Sequence, residues 1–98
     1  MAFDIELTLE AFEDLRGFRK REQIQIVAGI EVRLRHDSEL ETRHRKRLRP
    51  NQLCEWELRV GPYRVFYDVD LEKRCVKVEA IGYKRGSRLY LHGEEYEL

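Results

Sequence analysis

Residues Trp56–Asp70 read Trp-Glu-Leu-Arg-Val-Gly-Pro-Tyr-Arg-Val-Phe-Tyr-Asp-Val-Asp. The side chains alternate in steps of two on both sides of Gly61-Pro62, the pattern of a tight antiparallel hairpin. With Gly61-Pro62 as a two-residue loop the register follows: Val60 faces Tyr63, Arg59 faces Arg64, Leu58 faces Val65, Glu57 faces Phe66, and Trp56 faces Tyr67. One face is then Trp56, Leu58, Val60, Tyr63, Val65 and Tyr67, a continuous apolar surface. The other sets Arg59 against Arg64. Like charges paired across strands cost roughly 0.2–1 kcal/mol, so the arginine pair calls for an anion.

The rest of the chain supplies the setting for this hairpin. Its 98 residues are enough for one core and one domain, residues 1–98. Hydrophobic residues make up 42% and charged residues 39%, so a globular fold with a highly charged surface is expected. The 19 basic and 19 acidic residues cancel, which leaves charge distribution, not net charge, to announce a partner. The first fourteen residues hold five acids and no base, and Glu94, Glu95 and Glu97 close the chain, whereas Arg43-His44-Arg45-Lys46-Arg47-Leu48-Arg49 is a dense basic run. Cys54 and Cys75 sit in strand-like stretches and read as free buried thiols; without clustered histidines they make no zinc pattern, so no metal is expected. His36 and His44 have no ligand partners at metal spacing. No signal peptide, lipidation motif or membrane-length apolar run is present, and the expected compartment is the cytosol.

Phe3, Ile5 and Leu7 alternate with acids as a short first strand. Thr8 is placed to cap a helix carrying the stripe Leu9, Phe12 and Leu15 with Ala11 beside it, and Gly17 breaks it. A longer amphipathic helix is predicted from about Lys20 to His36, with Ile24, Val27, Ile30 and Leu34 on one side and Ile26 widening the face. Residues 37–46 read as a loop and Arg47-Leu48-Arg49 as a short edge strand stopped by Pro50-Asn51. After the hairpin and a turn near Leu71-Glu72-Lys73, Val76, Val78 and Ala80 alternate with Lys77 and Glu79 in a last long strand, which Gly82 ends or bends; a tail starts at Tyr83. The predicted class is α+β: an N-terminal strand, a helical hairpin, then an antiparallel sheet of three to four strands with the helices packed on one face. The arginine face, with Lys77 and Glu79 by parity, then points away from the helices toward solvent.

Arg47-Leu48-Arg49, Trp56-Glu57-Leu58-Arg59-Val60-Gly61, Tyr63-Arg64-Val65-Phe66-Tyr67, Ala80-Ile81-Gly82-Tyr83-Lys84-Arg85 and Leu89-Tyr90 together resemble the RelE/ParE superfamily of toxins from bacterial type II toxin–antitoxin systems. The resemblance covers nearly the whole chain and its strand-helix-helix-sheet order. It implies either a RelE-like, ribosome-dependent messenger RNA endonuclease or a ParE-like protein that poisons DNA gyrase without chemistry of its own; a degenerate, non-toxic binding module is a third outcome. A cognate antitoxin is implied as partner, with ribosome and messenger RNA as targets of the first reading, and no cofactor. The RelE-type reaction is metal-independent: the ribose 2′-hydroxyl attacks the adjacent phosphorus and expels the 5′-oxygen.

Carried over residue by residue, the resemblance makes Arg64 the phosphate stabiliser, its guanidinium suiting bidentate contact. Arg59 falls near the preceding strand's basic position, and Lys84, with Arg85 as the alternative, matches the basic residue after the glycine. Tyr90 matches the C-terminal aromatic, and His92 the histidine that some relatives use. Where RelE proper presents a second lysine, this chain has Glu57, a general base or a brake on RNA affinity. Arg45, Lys46, Arg47, Arg49, Arg85 and Arg88 are the expected RNA-steering cations. A purely structural reading stands beside these: Arg59 and Arg64 ion-paired to Glu57, Glu79 or Asp68, and Trp56, Tyr63 and Tyr67 as core packing.

Overall fold

The computed structural model describes residues 2–98. In chain order the elements are β1 (Asp4–Leu7), α1 (Leu9–Arg16), α2 (Lys20–Leu34), β2 (Arg45–Arg47), β3 (Trp56–Val60), β4 (Tyr63–Asp70), β5 (Cys75–Arg85), β6 (Arg88–Leu91) and β7 (Glu94–Tyr96). One sheet runs β2-β3-β4-β5-β6-β7 in antiparallel pairs, and β1 joins it parallel to β5. The predicted α+β order therefore stands, with both helices on one face.

The hairpin has the register its alternation dictates, Val60 opposite Tyr63 through Trp56 opposite Tyr67. Its apolar face joins Phe3, Val76, Val78 and Ile81 with the helices in the main core. Thr8 caps α1, its hydroxyl accepting from the Ala11 amide at 3.1 Å and donating to the Glu79 carbonyl at 3.2 Å.

The helices present different faces from those expected. In α2 the buried stripe is Ile26, Ile30 and Leu34, while Ile24 and Val27 are exposed. In α1, Leu9 and Phe12 are exposed and Ala11 is fully buried. Close approach explains both. A Cβ on Gly29 would lie 2.7 Å from the Val60 methyls, so α2 must lay its glycine face on β3. Likewise α1 lays its smallest residue against β5, and a larger one would hold it off the sheet.

β5 is the axis of the sheet. One edge pairs with β4 from Cys75 to Tyr83; the other pairs with β1 at Cys75–Val78 and with β6 at Gly82–Arg85. Between those partners the Ile81 amide has no strand to donate to, and the Asp14 carboxylate accepts from it at 3.0 Å. Gly82 does not end the strand, which runs on to Arg85. It is the point where β6 comes closest, 2.2 Å from a would-be Cβ to the Tyr90 carbonyl oxygen. Beyond Gly82 the stretch read as a tail folds into β6 and β7, extending the sheet.

Two further differences set the opposite face. Strand β2 forms at Arg45–Arg47, earlier than Arg47–Arg49, because Leu48 turns into a second small core with Leu53, Cys54, Phe66, Ala80, Leu89, Leu91 and Tyr96. That face is thus half covered instead of fully open. The register also slips between Phe66 and Tyr67: Phe66 pairs Ala80 and Tyr67 pairs Val78, so Glu79 is the extra residue of a bulge. Ala80 joins the second core instead of the first, while Val76 and Val78 keep the helix face and Lys77, opposite Asp68, and Glu79, beside it, keep the other. Cys54 is buried and free, its thiol pushed up to about 12 by burial, and Cys75 is half-buried and free.

Two outcomes follow. Asp14→Ala strands the Ile81 amide and should cost about 1–3 kcal/mol in denaturant unfolding, with amide exchange accelerated in β5 and β6 first; unchanged stability would contradict the bridging role. Burial, then the neighbouring Asp68 carboxyl, raises the Glu79 pKa above 4.5. The folded state therefore holds that proton more tightly than the unfolded chain, and stability is lost as pH rises through the folded value. Glu79→Gln should raise Tm at pH 7, with the gain shrinking as pH falls toward 4.5; a gain constant with pH would refute it.

Candidate functional site

Because β3 and β4 alternate, Glu57, Arg59 and Arg64 share the face away from the helices, and Lys84, two residues beyond Arg64's partner Gly82, shares it too. The Glu57 carboxylate sits between the two arginines. Oε1 is 4.0 Å from Arg59 Nε and Oε2 is 3.9 Å from Arg64 Nε. Both separations exceed the 2.7–2.9 Å or so of a charge-assisted hydrogen bond. Glu57 compensates charge there without saturating donors.

The two arginines differ in setting. The Arg59 side chain is 47% exposed, that of Arg64 only 12%. Arg64 spends one terminal nitrogen, Nη1, on the Gly61 and Tyr63 carbonyls at 2.8 and 2.9 Å, which fixes it to the hairpin turn. Its Nε is buried with no hydrogen-bond partner. Burial lowers the Arg64 pKa, Glu57 opposing and Arg59 reinforcing the shift.

A groove of about 910 Å³ opens on this face. Glu57, Arg59 and Lys84 line it together with Lys46, Arg49 and Arg88, and Glu95 and Glu97 supply its acidic rim. Arg64 is not a lining residue; Glu57 connects it to the groove. Several of the expected RNA-steering cations also have other contacts. Arg45 donates to the Leu40 and Arg33 carbonyls at 3.0 and 2.8 Å and holds the loop after α2. Arg47 also lines the groove, but its guanidinium stands over the Trp56 ring and 3.7 Å from Glu55. Arg85 stands over Tyr83, and Arg88 lies 3.6 Å from Glu95. His44 is pushed down by burial and then by Arg33, Arg43, Arg45 and Arg59, which reports the positive potential along this edge of the sheet.

Tyr90 and His92 are elsewhere. Tyr90 pairs with Tyr83 and stacks on it at 5.2 Å, on the helix side of the sheet, where Phe18 meets Tyr83 edge-on. His92 Nδ1 lies 2.6 Å from Asp14 Oδ1, and its Nε2 is 3.7 Å from Glu10. Since an ionised carboxylate only accepts, Nδ1 carries the proton. The pair faces a separate groove of about 780 Å³ between the helices and β5–β6. The six residues expected to act together thus divide, with Glu57, Arg59 and Arg64 on one face, Tyr90 and His92 on the other, and Lys84 bordering both grooves.

The residue missing from the sequence reading is Asp14, buried at once by the Ile81 amide and His92. Its signal was available in the spacing Ala11, Asp14, Phe18, a helical stripe that a search for apolar side chains alone passes over. The arginine face offers one anchored guanidinium behind an open groove and a half-exposed guanidinium, an ammonium and a carboxylate lining it, a set that can bind a phosphodiester and move a proton at it. Among the described residues no cluster of histidine, cysteine and carboxylate has the arrangement to hold a metal ion, and no helix is long and apolar enough to cross a membrane.

The fold is similar to that of the toxin–antitoxin complex RelBE2 from Mycobacterium tuberculosis, with TM-score 0.69, 23% identity, and coverage of 86% of this chain and 100% of that one. It is equally similar to the archaeal RelE–RelB complex from Pyrococcus horikoshii OT3, with TM-score 0.68, 17% identity, and coverage of 88% and 98%. No curated protein is significantly similar in sequence. Residues 5–87 match the family described as the ParE toxin of the type II toxin–antitoxin system parDE. With most of its length inside that match, the chain belongs to the ParE toxin family of type II toxin–antitoxin systems.

Proposed function

We propose that this toxin arrests translation by cutting messenger RNA on the ribosome in the cytosol, as a single domain of residues 1–98 held silent by a cognate antitoxin. The observation that carries the reading is the groove itself, where Arg59, Lys84 and the Glu57–Arg64 pair meet on one sheet face. A cluster of cations in that number suits phosphate recognition. In the reaction, the 2′-hydroxyl of a bound ribose attacks the adjacent phosphorus as Glu57 takes its proton. Arg59 and Arg64 stabilise the dianionic phosphorane, and Lys84 faces the departing 5′-oxygen. Lys46, Arg49 and Arg88 hold flanking phosphates. Tyr90 and His92, on the far side of the sheet, take no part.

The antitoxin partner is supported by the two similar structures, both complexes of that kind. Leu9, Phe12, Ile24 and Val27, exposed on the helices, give such a partner apolar surface to cover.

One observation favours a second reading, gyrase binding without chemistry. With Tyr90 and His92 turned away, the groove keeps no aromatic or imidazole of the set the resemblance implies. Induction of the toxin followed by primer-extension mapping separates the two. Discrete cuts within codons are expected; intact transcripts with a DNA-damage response would establish the second reading instead. Arg59→Ala and Arg64→Ala should each slow cleavage by about 10²-fold or more, and Arg59→Ala, at a half-exposed position, should leave Tm unchanged. His92→Ala should leave cleavage unchanged, and its loss there would return His92 to the mechanism.

A further inference from the structure

The arginine pair was expected to await an anion, and the structure places one there from the chain itself. Glu57 is nearly buried, its side chain 6% exposed, and each carboxylate oxygen addresses one guanidinium Nε. Yet neither contact closes to hydrogen-bond length, and Arg64 Nε has no partner at all. A buried donor left unmade is costly. A two-pronged oxyanion bridging both guanidiniums would satisfy what Glu57 leaves open.

We propose that Glu57 is a built-in competitor for the phosphate position: it occupies the site between Arg59 and Arg64 in the free protein, and a phosphodiester binds only by displacing it. This rests on reading the groove as phosphate-binding and adds a regulation to it. The geometry gives three reasons. Glu57 lies on β3 two residues from Arg59 and diagonal to Arg64, which pairs with Arg59, so its backbone holds the carboxylate near both without drawing it into either. Arg64 is fixed by the Gly61 and Tyr63 carbonyls and cannot swing out to meet a ligand, so the ligand must come to it through the place Glu57 fills. Finally, Glu57 lines the groove and Arg64 does not.

Displacement has a chemical consequence. A carboxylate pushed off two guanidiniums by an incoming phosphate remains beside the ribose of that same nucleotide and is freed to accept a proton. Occupancy and proton transfer are then successive states of one side chain. Weak binding of stray phosphates and full engagement of RNA presented in a fixed path follow from the same competition, since only a ligand with many simultaneous contacts overcomes it.

The test uses the full chain with inorganic phosphate and a 2′-O-methyl RNA hexamer, which cannot be cleaved. Glu57→Gln should bind the hexamer about tenfold more tightly than the wild type, with the slope of log K against log salt steeper by roughly 0.7, one further phosphate neutralised on a single strand. Equal or weaker binding by folded Glu57→Gln would overturn the proposal. A second measurement on the wild type holds should the variant fail to fold. Saturation with the hexamer should shift the Glu57 side-chain carboxylate carbon and Arg59 Nε resonances together, and an unmoved Glu57 resonance would overturn it. If neither protein binds phosphate or hexamer, the phosphate-binding reading of the groove falls and the competitor role falls with it; if both bind equally, only the competitor role does.

Discussion

One hydrogen bond organises this fold, from the Ile81 amide to Asp14. β5 needs two partners on a single edge, β1 for its first half and β6 for its second, and no strand reaches the amide between them. An unmet buried amide there would cost on the order of 1–3 kcal/mol. Asp14 meets it from α1, which fixes that helix against the sheet and explains why its buried face is Ala11 and Asp14 instead of Leu9 and Phe12. The same carboxylate's second oxygen holds His92, so the turn between β6 and β7 is tied to the same point. The helix, the central strand and the last hairpin are thereby positioned by one side chain.

That constraint also decides where the chemistry can sit. Strand alternation sends odd and even residues to opposite faces, so whatever Asp14 draws toward the helices is withdrawn from the arginine groove. His92 is the clearest case, and Tyr90, paired with and stacked on Tyr83, lies on the same side. The bulge at Glu79 acts in the other direction. By adding one residue, it moves Ala80 and Gly82 onto the face of Phe66 and Arg64 and brings Lys84 there as well. A single extra residue thus determines that a lysine, not a tyrosine, stands beside the arginine pair.

The hairpin was legible in full, because a period of two with a two-residue turn admits one register, and Trp56–Tyr67 pairs as its alternation requires. The helix boundaries were nearly legible: α2 stops at Leu34, two residues before His36. What was not legible follows from tertiary contacts that leave no local trace. The outward faces of the helices depend on Gly29 meeting Val60 and Asp14 meeting Ile81, both separated by tens of residues. The bulge is invisible because Val76, Val78 and Ala80 alternate perfectly whether or not the ladder slips. The tail hid two strands because β6 and β7 are short, and their apolar residues Leu89, Leu91 and Tyr96 match a core that exists only once Leu48 and Leu53 fold over Phe66. Of the site, Glu57, Arg59 and Arg64 were brought together as parity demanded; Lys84 joins them only through the slipped register, and Tyr90 and His92 were lost to the other face.

The net charge of zero takes on a different meaning once these positions are known. A sheet face holding Arg59 opposite Arg64 beside Lys46 and Lys84 would repel itself in the absence of a ligand, and the repulsion would grow as burial removed solvent from Arg64. Glu57 removes one unit of that repulsion at the point where it is largest, at a distance that leaves the donors of Arg64 unsatisfied. A closer carboxylate would stabilise the fold more and make a poorer site; none at all would leave an anion site with nothing to hold its two cations in register. The 3.9–4.0 Å separations lie between these, so the free protein tolerates its own cationic face and still gains by exchanging an internal anion for an external one.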